Sequence, residues 1–318
     1  MKDGSEGVVS RAEGCLLGQL AGDSLGSLVE FEPPEAIRER YPGGVRDLAD
    51  GGAWDTIAGQ PTDDSEMALA LARSLIEEKR FDAGAARRAY IVWLDSGPFD
   101  CGNTVRAGLR GRPNPESQAN GALMRVSPLG IFGASHPLDR VAEWAREDAS
   151  ITHPHPVCLA VNAVYASAIA DAVRSGSEPE QLYQRIVERA EEWKIDAVVM
   201  EMIVGAAKEP PRDYLRHQGW VLIAFGNALW QLLHAENPED GIIDTVMRGG
   251  DTDTNAAIAG ALLGAVHGIE AIPARWTEKI VACRPAAGDQ RVHQPRPERY
   301  WPADALTLAR KLIDPSSS

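Results

Sequence analysis

Basic residues are in short supply in this chain, and their scarcity limits the partners that it can have. Its 318 residues include 32 Lys and Arg against 46 Asp and Glu, a formal net charge of −14 at pH 7. A protein that binds nucleic acid without sequence specificity needs basic patches, so this composition argues against direct nucleic-acid binding. A small anionic ligand held by backbone N–H groups is compatible with the charge.

Cysteine is also scarce and is not arranged for metal binding. Cys15, Cys101, Cys158 and Cys283 include no CxxC pair, so the sequence offers no zinc site of that type. The first residues lack the long apolar stretch of a secretory signal peptide. We therefore expect free thiols and a cytoplasmic location.

Long apolar runs and alternating strand patterns are missing as well. Residues 220–225 are apolar, but Gly226 and Asn227 interrupt the run, so we predict no membrane-spanning segment and no membrane partner. No segment alternates apolar and polar residues convincingly, as a half-buried strand does. Hydrophobic residues still make up 44% of the chain, which is enough for a substantial core.

Helical periodicity runs through the whole chain. The predicted helical segments are 14–26, 65–78, 81–94, 119–132 (broken by Pro128), 158–173, 181–193, 195–207, 219–234 and 242–248, followed by a second glycine-rich segment over 257–268. The segments 111–117 and 286–302 are rich in proline and polar residues but do not separate halves of different composition. We predict one all-α domain over residues 1–318.

Glycines at a spacing of four mark two of these segments. They are Gly14, Gly18, Gly22 and Gly26 in the first, and Gly260, Gly264 and Gly268 in the second. Such spacing puts the glycines on one helix face, and glycine lowers helix propensity, so the close approach of another helix is the plainest explanation. We expect both helices near the centre of the fold, where they would bring the flanking acidic residues together.

Two acidic clusters lie far apart in the chain, at residues 61–66 (PTDDSE) and 249–255 (GGDTDTN). Each opens a helical segment, where Asp and Thr are ordinary N-cap residues, but each holds more carboxylates and hydroxyls than a cap can use. Four Asp carboxylates in one pocket would repel one another unless cations neutralised them. Ligand sets made of oxygen alone suit Mg²⁺, Mn²⁺ or Ca²⁺ rather than Zn²⁺. Together the clusters indicate a hydrolytic metal centre.

These clusters belong to a series of motifs whose order resembles that of the ADP-ribosylglycohydrolases, the family that includes dinitrogenase reductase-activating glycohydrolase. The motifs are GCLLG at 14–18, AGDSLG at 21–26, EF at 30–31, TDDS at 62–65, GPFDCGNT at 97–104, NGALMR at 120–125, TH at 152–153 and GGDTDTN at 249–255. Each is weak alone, whereas the ordered set, which covers residues 14–276, is highly specific.

The resemblance implies a single compact domain of orthogonal helices with a binuclear centre of two divalent cations, Mg²⁺ or Mn²⁺. By position it implies these metal ligands: Thr62, Asp63, Asp64, Asp251, Asp253 and Thr254. Two cations close together can hold vicinal ribose hydroxyls and orient a water molecule. Such a centre suits the hydrolysis of an ADP-ribosyl bond, with ADP-ribose as a product.

Two further carboxylates are candidates for the chemistry at the glycosidic bond, which passes through an oxocarbenium-like transition state. The resemblance places Glu30 close to the metals and Asp100 beside the scissile bond. We predict that Asp100 is the general base or acid and that Glu30 is a metal-proximal helper. From the residues alone, the ordinary interpretations are a loop Asp that caps a turn and a surface Glu.

The resemblance also supplies a candidate phosphate loop. Residues 117–122 resemble the family's loop at a helix start, where backbone N–H groups of Asn120, Gly121 and Ala122 would hold the diphosphate of ADP-ribose. Relatives often have Gly where this chain has Ala119. Without the resemblance, the same residues form an ordinary Asn-Gly turn.

Two ring side chains complete the predicted site. His153 resembles a ligand-contacting histidine of the family, and Trp220 falls where many relatives carry an aromatic residue, so that it could stack on adenine. The alternatives are a capping or core histidine and a core tryptophan.

The leading prediction is a metal-dependent hydrolase that removes ADP-ribose from a modified protein or small molecule. The presence of both Glu30 and Asp100 favours an N-glycosidic ADP-ribosyl-arginine linkage. The alternatives are a linkage to serine, to a nucleic-acid base or to a small molecule, and a non-enzymatic ADP-ribose-binding or structural relative. A degenerate relative would have lost ligands, whereas all six predicted positions here carry oxygen donors.

Overall fold

The computed structural model describes residues 4–314, and its regular structure is helical. The α-helices are α1 Gly4–Gly26, α2 Pro34–Arg40, α3 Asp63–Glu78, α4 Ala83–Asp95, α5 Asn103–Leu109, α6 Ser127–Gly133, α7 Leu138–Ser150, α8 Pro156–Ser175, α9 Pro179–Glu192, α10 Ala197–Ala206, α11 Val221–His234, α12 Pro238–Val246, α13 Thr252–His267, α14 Ala274–Ala282 and α15 Ala305–Ile313. Residues 4–314 contain no strand, only isolated bridges that join Gly51 to Thr56 and Ala119 to Trp220. The predicted all-α fold is confirmed.

Helices α1 and α13 form the central pair and pack antiparallel through their glycines. A Cβ atom added to Gly18 would lie 2.1 Å from the carbonyl oxygen of Gly260, and one added to Gly264 would lie within 1.9 Å of the carbonyl oxygen of Gly14. Real Cβ atoms do not approach carbonyl oxygens so closely, so the two backbones can meet only where side chains are absent. The predicted close approach of the two glycine-rich helices is confirmed.

One glycine of the predicted pattern lies outside the helix. Helix α13 ends at His267, and Gly268 follows it with a φ of +80°. Glycine adopts this left-handed conformation without steric cost. Gly268 therefore ends the helix instead of extending its glycine face, which corrects the prediction.

The largest difference from the predicted helices lies in segment 119–132. Only Ser127–Gly133 forms an α-helix there, with Pro128 in its first turn. Residues 120–125 form a separate turn in which the N–H groups of Leu123 and Met124 donate to the carbonyl oxygen of Asn120. Proline has no N–H and suits the first turn of a helix, so the pattern marked a helix start and not a helix interior.

Other helix boundaries were closer to the prediction. Six of the predicted segments (65–78, 81–94, 158–173, 181–193, 195–207 and 219–234) match helices to within two residues at each end. Helix α1 begins ten residues earlier than predicted, at Gly4 instead of Gly14, and α12 begins at Pro238. The sequence analysis missed α2, α5, α7, α14 and α15, several of which are short.

Helix α8 is the one helix in residues 4–314 that is long and apolar enough to cross a membrane, and the sequence analysis did not single it out for this property. Most of its apolar stretch, 83%, is buried inside the molecule, where the helix packs against α6, α7 and α13. A helix that is apolar all round and surrounded by protein is typical of the core of a folded domain.

Candidate active site

The antiparallel packing of α1 and α13 brings the residues that follow α1 beside the second acidic cluster. The backbone N–H of Phe31 donates to the carbonyl oxygen of Gly250 (2.7 Å), and the N–H of Gly250 donates to the carbonyl oxygen of Glu32 (3.1 Å). These two bonds tie the chain after α1 to the turn before α13. Glu30 is thereby held next to the N-terminus of α13.

The first acidic cluster is attached to α1 by a buried aspartate. The Asp23 carboxylate accepts hydrogen bonds from the backbone N–H of Thr62 (3.0 Å) and of Ser65 (3.1 Å). These are N–H groups of the first turn of α3 and its N-cap, which have no partner inside the helix. Because α1 contacts both α3 and α13, it brings the two acidic clusters to one place.

Three carboxylates from two segments converge at this place. Glu30, Asp251 and Asp253 are buried and can each offer one oxygen atom such that all three atoms lie within 4.8 Å of one another. Burial, and then the negative charges of Glu30 and Asp64, raise the pKa of Asp253 well above its usual range. Carboxylates of both acidic clusters therefore act on Asp253.

The pKa values of the first acidic cluster are raised by the same causes. Burial, and then the charges of Asp100 and Asp64, raise the pKa of Asp63 well above its usual range. Burial, and then the charges of Asp23 and Asp251, raise the pKa of Asp64. Carboxylates placed like this are costly unless protons or cations neutralise them.

The residues present fit a hard divalent cation. Asp64 Oδ2 accepts a hydrogen bond from the Thr62 hydroxyl (3.0 Å), whereas Asp64 Oδ1 is buried and has no hydrogen-bond partner within residues 4–314. A buried carboxylate oxygen without a partner is strongly unfavourable, and a cation would satisfy it. All candidate donors are oxygens, which Mg²⁺ and Mn²⁺ prefer, so this acidic cluster can hold a metal.

A cavity of about 390 Å³ opens beside these carboxylates. Its lining includes most of the residues singled out from the sequence: Glu30, Asp63, Asp100, Asn120, Gly121, His153, Asp251, Asp253 and Thr254. The structure therefore gathers residues from six separate motifs around one space.

Four of the predicted site residues do not line this cavity. Thr62, Asp64 and Ala122 are completely buried, the first two beside the metal-ligand candidates. Trp220 lines a neighbouring depression, and its indole N–H donates to the side-chain oxygen of Gln118 (3.0 Å). Ala122 and Trp220 therefore do not contribute to the wall of the main cavity.

A tryptophan holds Glu30 in place. The indole N–H of Trp54 donates to Glu30 Oε2 at 2.6 Å, and the Trp54 ring lies 6.0 Å from the Phe99 ring. Burial, and then the charges of Asp100 and Asp251, raise the pKa of Glu30 to about 8. The hydrogen bond from Trp54 opposes this rise because it favours the charged carboxylate.

Phe31, next to Glu30, marks the edge of the cavity. It is 56% exposed although it is a large apolar residue, it lines the cavity, and its φ is +67°. A left-handed φ is uncommon for a residue with a side chain, and such strain concentrates at functional sites. The bond from its N–H to Gly250 keeps the backbone in this conformation.

The loop that carries Asp100 is anchored from the C-terminal part of the chain. The guanidinium of Arg296 donates to both oxygens of Glu66 (2.8 Å each) and to the carbonyl oxygen (3.2 Å) and hydroxyl (2.8 Å) of Ser96. Ser96 precedes Asp100 by four residues. Burial raises the pKa of Asp100 above its usual range, and the charge of Asp251 adds to this effect.

The predicted phosphate loop is held by its neighbours and does not begin an α-helix, which corrects that part of the prediction. The backbone N–H of Asn120 donates to the carbonyl oxygen of Gly219 (2.9 Å), and its side-chain N–H donates to Asp251 Oδ2 (2.7 Å). No acceptor within residues 4–314 takes the backbone N–H of Gly121. The backbone N–H of Gly121 is therefore free to donate beside the cavity. The side-chain N–H of Asn120 already donates to Asp251, one of the predicted metal ligands.

A family model described as ADP-ribosylglycohydrolase matches residues 5–307. The chain belongs to the ADP-ribosylglycohydrolase family. Enzymes of this family hydrolyse ADP-ribosyl linkages, and this ADP-ribosylglycohydrolase is such an enzyme.

Individual relatives of this ADP-ribosylglycohydrolase cover most of the chain. The ADP-ribosyl-[dinitrogen reductase] glycohydrolase of Rhodospirillum rubrum is 32% identical over 287 residues, which cover 86% of this chain and 91% of the relative. The ADP-ribosylarginine hydrolase Tri1 of Pseudomonas putida (strain GB-1) is 30% identical over 294 residues, which cover 86% of this chain and 75% of that protein. A solved structure described as an ADP-ribosylglycohydrolase-related protein complex is 27% identical, with a TM-score of 0.78, and the match covers 97% of this chain and 100% of that one.

Several residues around the site were not predicted. Trp54 lies in a loop that carries no specific sequence pattern, and Arg296 lies in segment 286–302, which is rich in proline and polar residues. Asp23 is part of the AGDSLG motif, where an aspartate on a buried glycine-rich helix face was a signal that could have been used. Trp54 and Arg296 had no such signal, because their partners are more than twenty residues away in the chain.

Proposed function

We propose that this ADP-ribosylglycohydrolase hydrolyses the N-glycosidic bond between ADP-ribose and an arginine side chain. The supporting observation is the charge of the cavity: Glu30, Asp63, Asp100, Asp251 and Asp253 line it, and its lining includes no Lys or Arg. A cationic guanidinium is favoured in such surroundings. Two of the relatives carry names that specify ADP-ribosyl-dinitrogen reductase and ADP-ribosylarginine as their substrates.

The proposed cofactor is a pair of divalent cations, Mg²⁺ or Mn²⁺. Their ligands in this proposal are Thr62, Asp63, Asp64, Asp251, Asp253 and Thr254, with Glu30 close by. When bound, the cations would polarise the ribose hydroxyls and lower the pKa of a water molecule. The unpartnered Asp64 Oδ1 supports this proposal.

Asp100 supplies the proton transfer in this proposal. The bond between the anomeric carbon and the arginine nitrogen breaks with its electron pair on nitrogen, and a bond from the anomeric carbon to a water oxygen forms. The Asp100 carboxylate accepts the proton that the water loses and then donates it to the departing guanidine. Burial raises the pKa of Asp100 above its usual range, which makes its carboxyl a better acceptor of the water proton than an ordinary Asp.

The diphosphate of ADP-ribose lies near Asn120 and Gly121 in this proposal. The free N–H of Gly121 provides a donor there. Glu30, fixed by Trp54, closes the other side of the ribose. Free ADP-ribose is therefore expected to be a competitive product inhibitor.

A panel of substrates with ADP-ribose on arginine, serine, an acidic residue, nucleic acid or a small molecule, tested with and without chelator, decides the proposal. We expect turnover of the arginine substrate, abolished by chelator and by Asp253→Ala, while the matched variant Glu77→Ala, an exposed carboxylate on α3, retains it. Turnover of another linkage alone would refute the arginine specificity. Full activity in chelator, or in Asp253→Ala, would refute the metal site.

A further inference from the structure

A buried polar network runs from α4 and α7 to the wall of the cavity. Arg125 Nε donates to Asp148 Oδ2 (3.1 Å), and the Tyr90 hydroxyl donates to Asp148 Oδ1 (2.7 Å). Arg125 Nη1 donates to the Thr152 hydroxyl oxygen (2.9 Å), which in turn lies 2.7 Å from His153 Nδ1. All five side chains are buried, so no solvent intervenes in the chain of bonds.

The donors and acceptors in this network favour one arrangement of protons. A guanidinium only donates, so the Thr152 oxygen accepts from Arg125. The Thr152 hydroxyl has one proton, and within residues 4–314 its only acceptor is His153 Nδ1. A proton on Nδ1 would leave the buried Thr152 hydroxyl proton without an acceptor, which is unfavourable. The favoured tautomer therefore has a bare Nδ1 and carries its proton on Nε2.

The same surroundings keep His153 neutral. Burial, and then the positive charge of Arg125, lower the pKa of His153 to about 3. Protonation would add a second proton to the ring, at Nδ1 and against the Thr152 hydroxyl, and would place a positive charge beside that of Arg125. The imidazole is therefore uncharged throughout the pH range in which the protein is expected to work.

The protonated nitrogen lies next to a residue of the cavity wall. His153 lines the cavity, and its Nε2 is buried with no hydrogen-bond partner within residues 4–314. A Cβ atom placed on Gly121 would lie 3.4 Å from Nε2, so the nitrogen lies beside the Gly121 backbone. A buried N–H without a partner is costly, and a ligand oxygen at this position would satisfy it.

We propose that Arg125 and Thr152 are positioning residues that lock His153 as a neutral imidazole with its proton on Nε2, so that His153 is a constant hydrogen-bond donor to an oxygen of ADP-ribose. The identity of the ligand rests on the proposed function, whereas the locked tautomer does not. An N–H donor in this place favours ligands that present a phosphate or ribose oxygen and disfavours groups that can only donate a hydrogen bond. Since the donor does not titrate, binding at this contact does not change between pH 5 and 8.

The tautomer can be tested without any ligand. Protein labelled with ¹⁵N at histidine gives long-range ¹H–¹⁵N correlations that distinguish protonated from bare ring nitrogens, and the His153 signal is assigned by its loss in His153→Gln. We expect a protonated Nε2 and a bare Nδ1, unchanged from pH 5 to pH 8. A proton on Nδ1, a mixture of tautomers, or titration within this range in the wild-type protein would overturn the proposal.

The positioning role is tested by removing the hydroxyl. Thr152→Val keeps the side-chain volume but loses the donor to Nδ1, whereas Thr152→Ser keeps it. We expect the valine variant to show a mixture of His153 tautomers and ADP-ribose binding weakened about tenfold by calorimetry, and the serine variant to bind within about twofold of wild type. Wild-type binding by a folded valine variant would overturn the role of Thr152.

The locked tautomer and the binding of ADP-ribose can be refuted separately. If wild-type protein shows the locked tautomer but does not bind ADP-ribose, the proposed function is wrong and the lock remains. If the valine variant does not fold, Arg125→Lys provides the second test: it keeps the charge beside Asp148 but loses the fork that reaches Thr152, and we expect the same mixture of tautomers. A single Nε2 tautomer and unchanged ADP-ribose binding in the lysine variant would contradict the role of Arg125.

Discussion

Trp54 donates its indole N–H to Glu30 Oε2 at 2.6 Å, and this bond fixes a carboxylate that follows α1 by means of a residue from an irregular loop. The bond has an electrostatic effect as well as a geometric one. It stabilises the ionised carboxylate against burial and against the neighbouring acids, which together raise the pKa of Glu30 to about 8. The loop is held in turn by the side chain of Gln294, which donates to the carbonyl oxygen of Trp54 (3.1 Å).

The first prediction concerns Trp54→Phe. This change removes the donor but keeps a ring near Phe99, so the pKa of Glu30 rises further and less of the carboxylate is ionised at pH 7. We expect kcat/KM to fall about tenfold and the acid limb of the pH–rate profile to move to higher pH. In the control Trp193→Phe, a half-buried tryptophan far from the cavity loses a similar bond to Asp139 (2.9 Å), and activity should be unchanged. An unaltered pH profile in Trp54→Phe would contradict the role of the bond.

The second prediction concerns Asp100→Asn. The substitution is nearly isosteric and removes the group that transfers the proton, so turnover should fall by about 10²–10⁴-fold while ADP-ribose still binds. Steady-state kinetics and calorimetry measure the two effects separately. Asp95→Asn, an exposed change near the start of the same loop, is the matched control and should remain active. Wild-type turnover by Asp100→Asn would make Glu30 the residue to test.

The third prediction concerns stability and pH in the absence of cations. Burial raises the pKa of Glu30 from 4.5 to about 8 and that of Asp23 from 3.8 to about 6. Between these limits the folded protein binds more protons than the unfolded chain, so its stability in chelator should fall as the pH rises from 5 to 8. Scanning fluorimetry measures the melting temperature across this range.

Saturating Mg²⁺ or Mn²⁺ should raise the melting temperature and flatten this dependence, because cations that bind only the folded form stabilise it and neutralise the carboxylates. Equal melting temperatures in Mg²⁺, Mn²⁺ and chelator at pH 8 would argue against a built metal site.

The fourth prediction concerns Arg296→Met. It leaves Glu66 buried without its ion pair and releases Ser96, so we expect a loss of about 3–5 kcal/mol in the free energy of unfolding and a lower kcat, since the Asp100 loop loses its anchor. Urea denaturation and kinetics measure these effects. Arg73→Met, which breaks a partly exposed pair with Asp304, should cost less than about 1 kcal/mol. Equal losses in the two variants would show that burial of the Arg296 pair is unimportant.

The fifth prediction compares two glycines in helices. In Gly18→Ala the new Cβ would lie 2.1 Å from the Gly260 carbonyl oxygen, so α1 and α13 must separate, at a cost of about 1–3 kcal/mol. Around Gly205 in α10 a Cβ meets nothing within 4 Å, and Gly205→Ala should stabilise the protein by about 0.5–1 kcal/mol. Denaturant titration of both variants gives the two values. An unchanged free energy of unfolding in Gly18→Ala would show that the helix crossing is less tight than the structure indicates.

Local sequence determined much of this protein. Helical periodicity and the absence of strand patterns predicted an all-α fold, and glycines at a spacing of four predicted the close packing of α1 and α13. The ordered motifs named most of the residues that line the cavity. These features can be predicted from the sequence because a helix face, a turn or a short motif depends on residues that are close together in the chain.

Tertiary structure alone decided how these pieces act on one another. The antiparallel direction of α1 and α13 places Glu30 beside Asp253, where the charge of Glu30 adds to burial in raising the pKa of Asp253. Trp54 and Arg296 are ordinary residues in their own segments and become positioning groups because distant carboxylates lie next to them. The His153 imidazole is held beside Gly121 of the cavity wall by a network that includes Tyr90 and Asp148. Hydrogen bonds and charge interactions depend on distance in space, and spacing along the chain does not specify that distance.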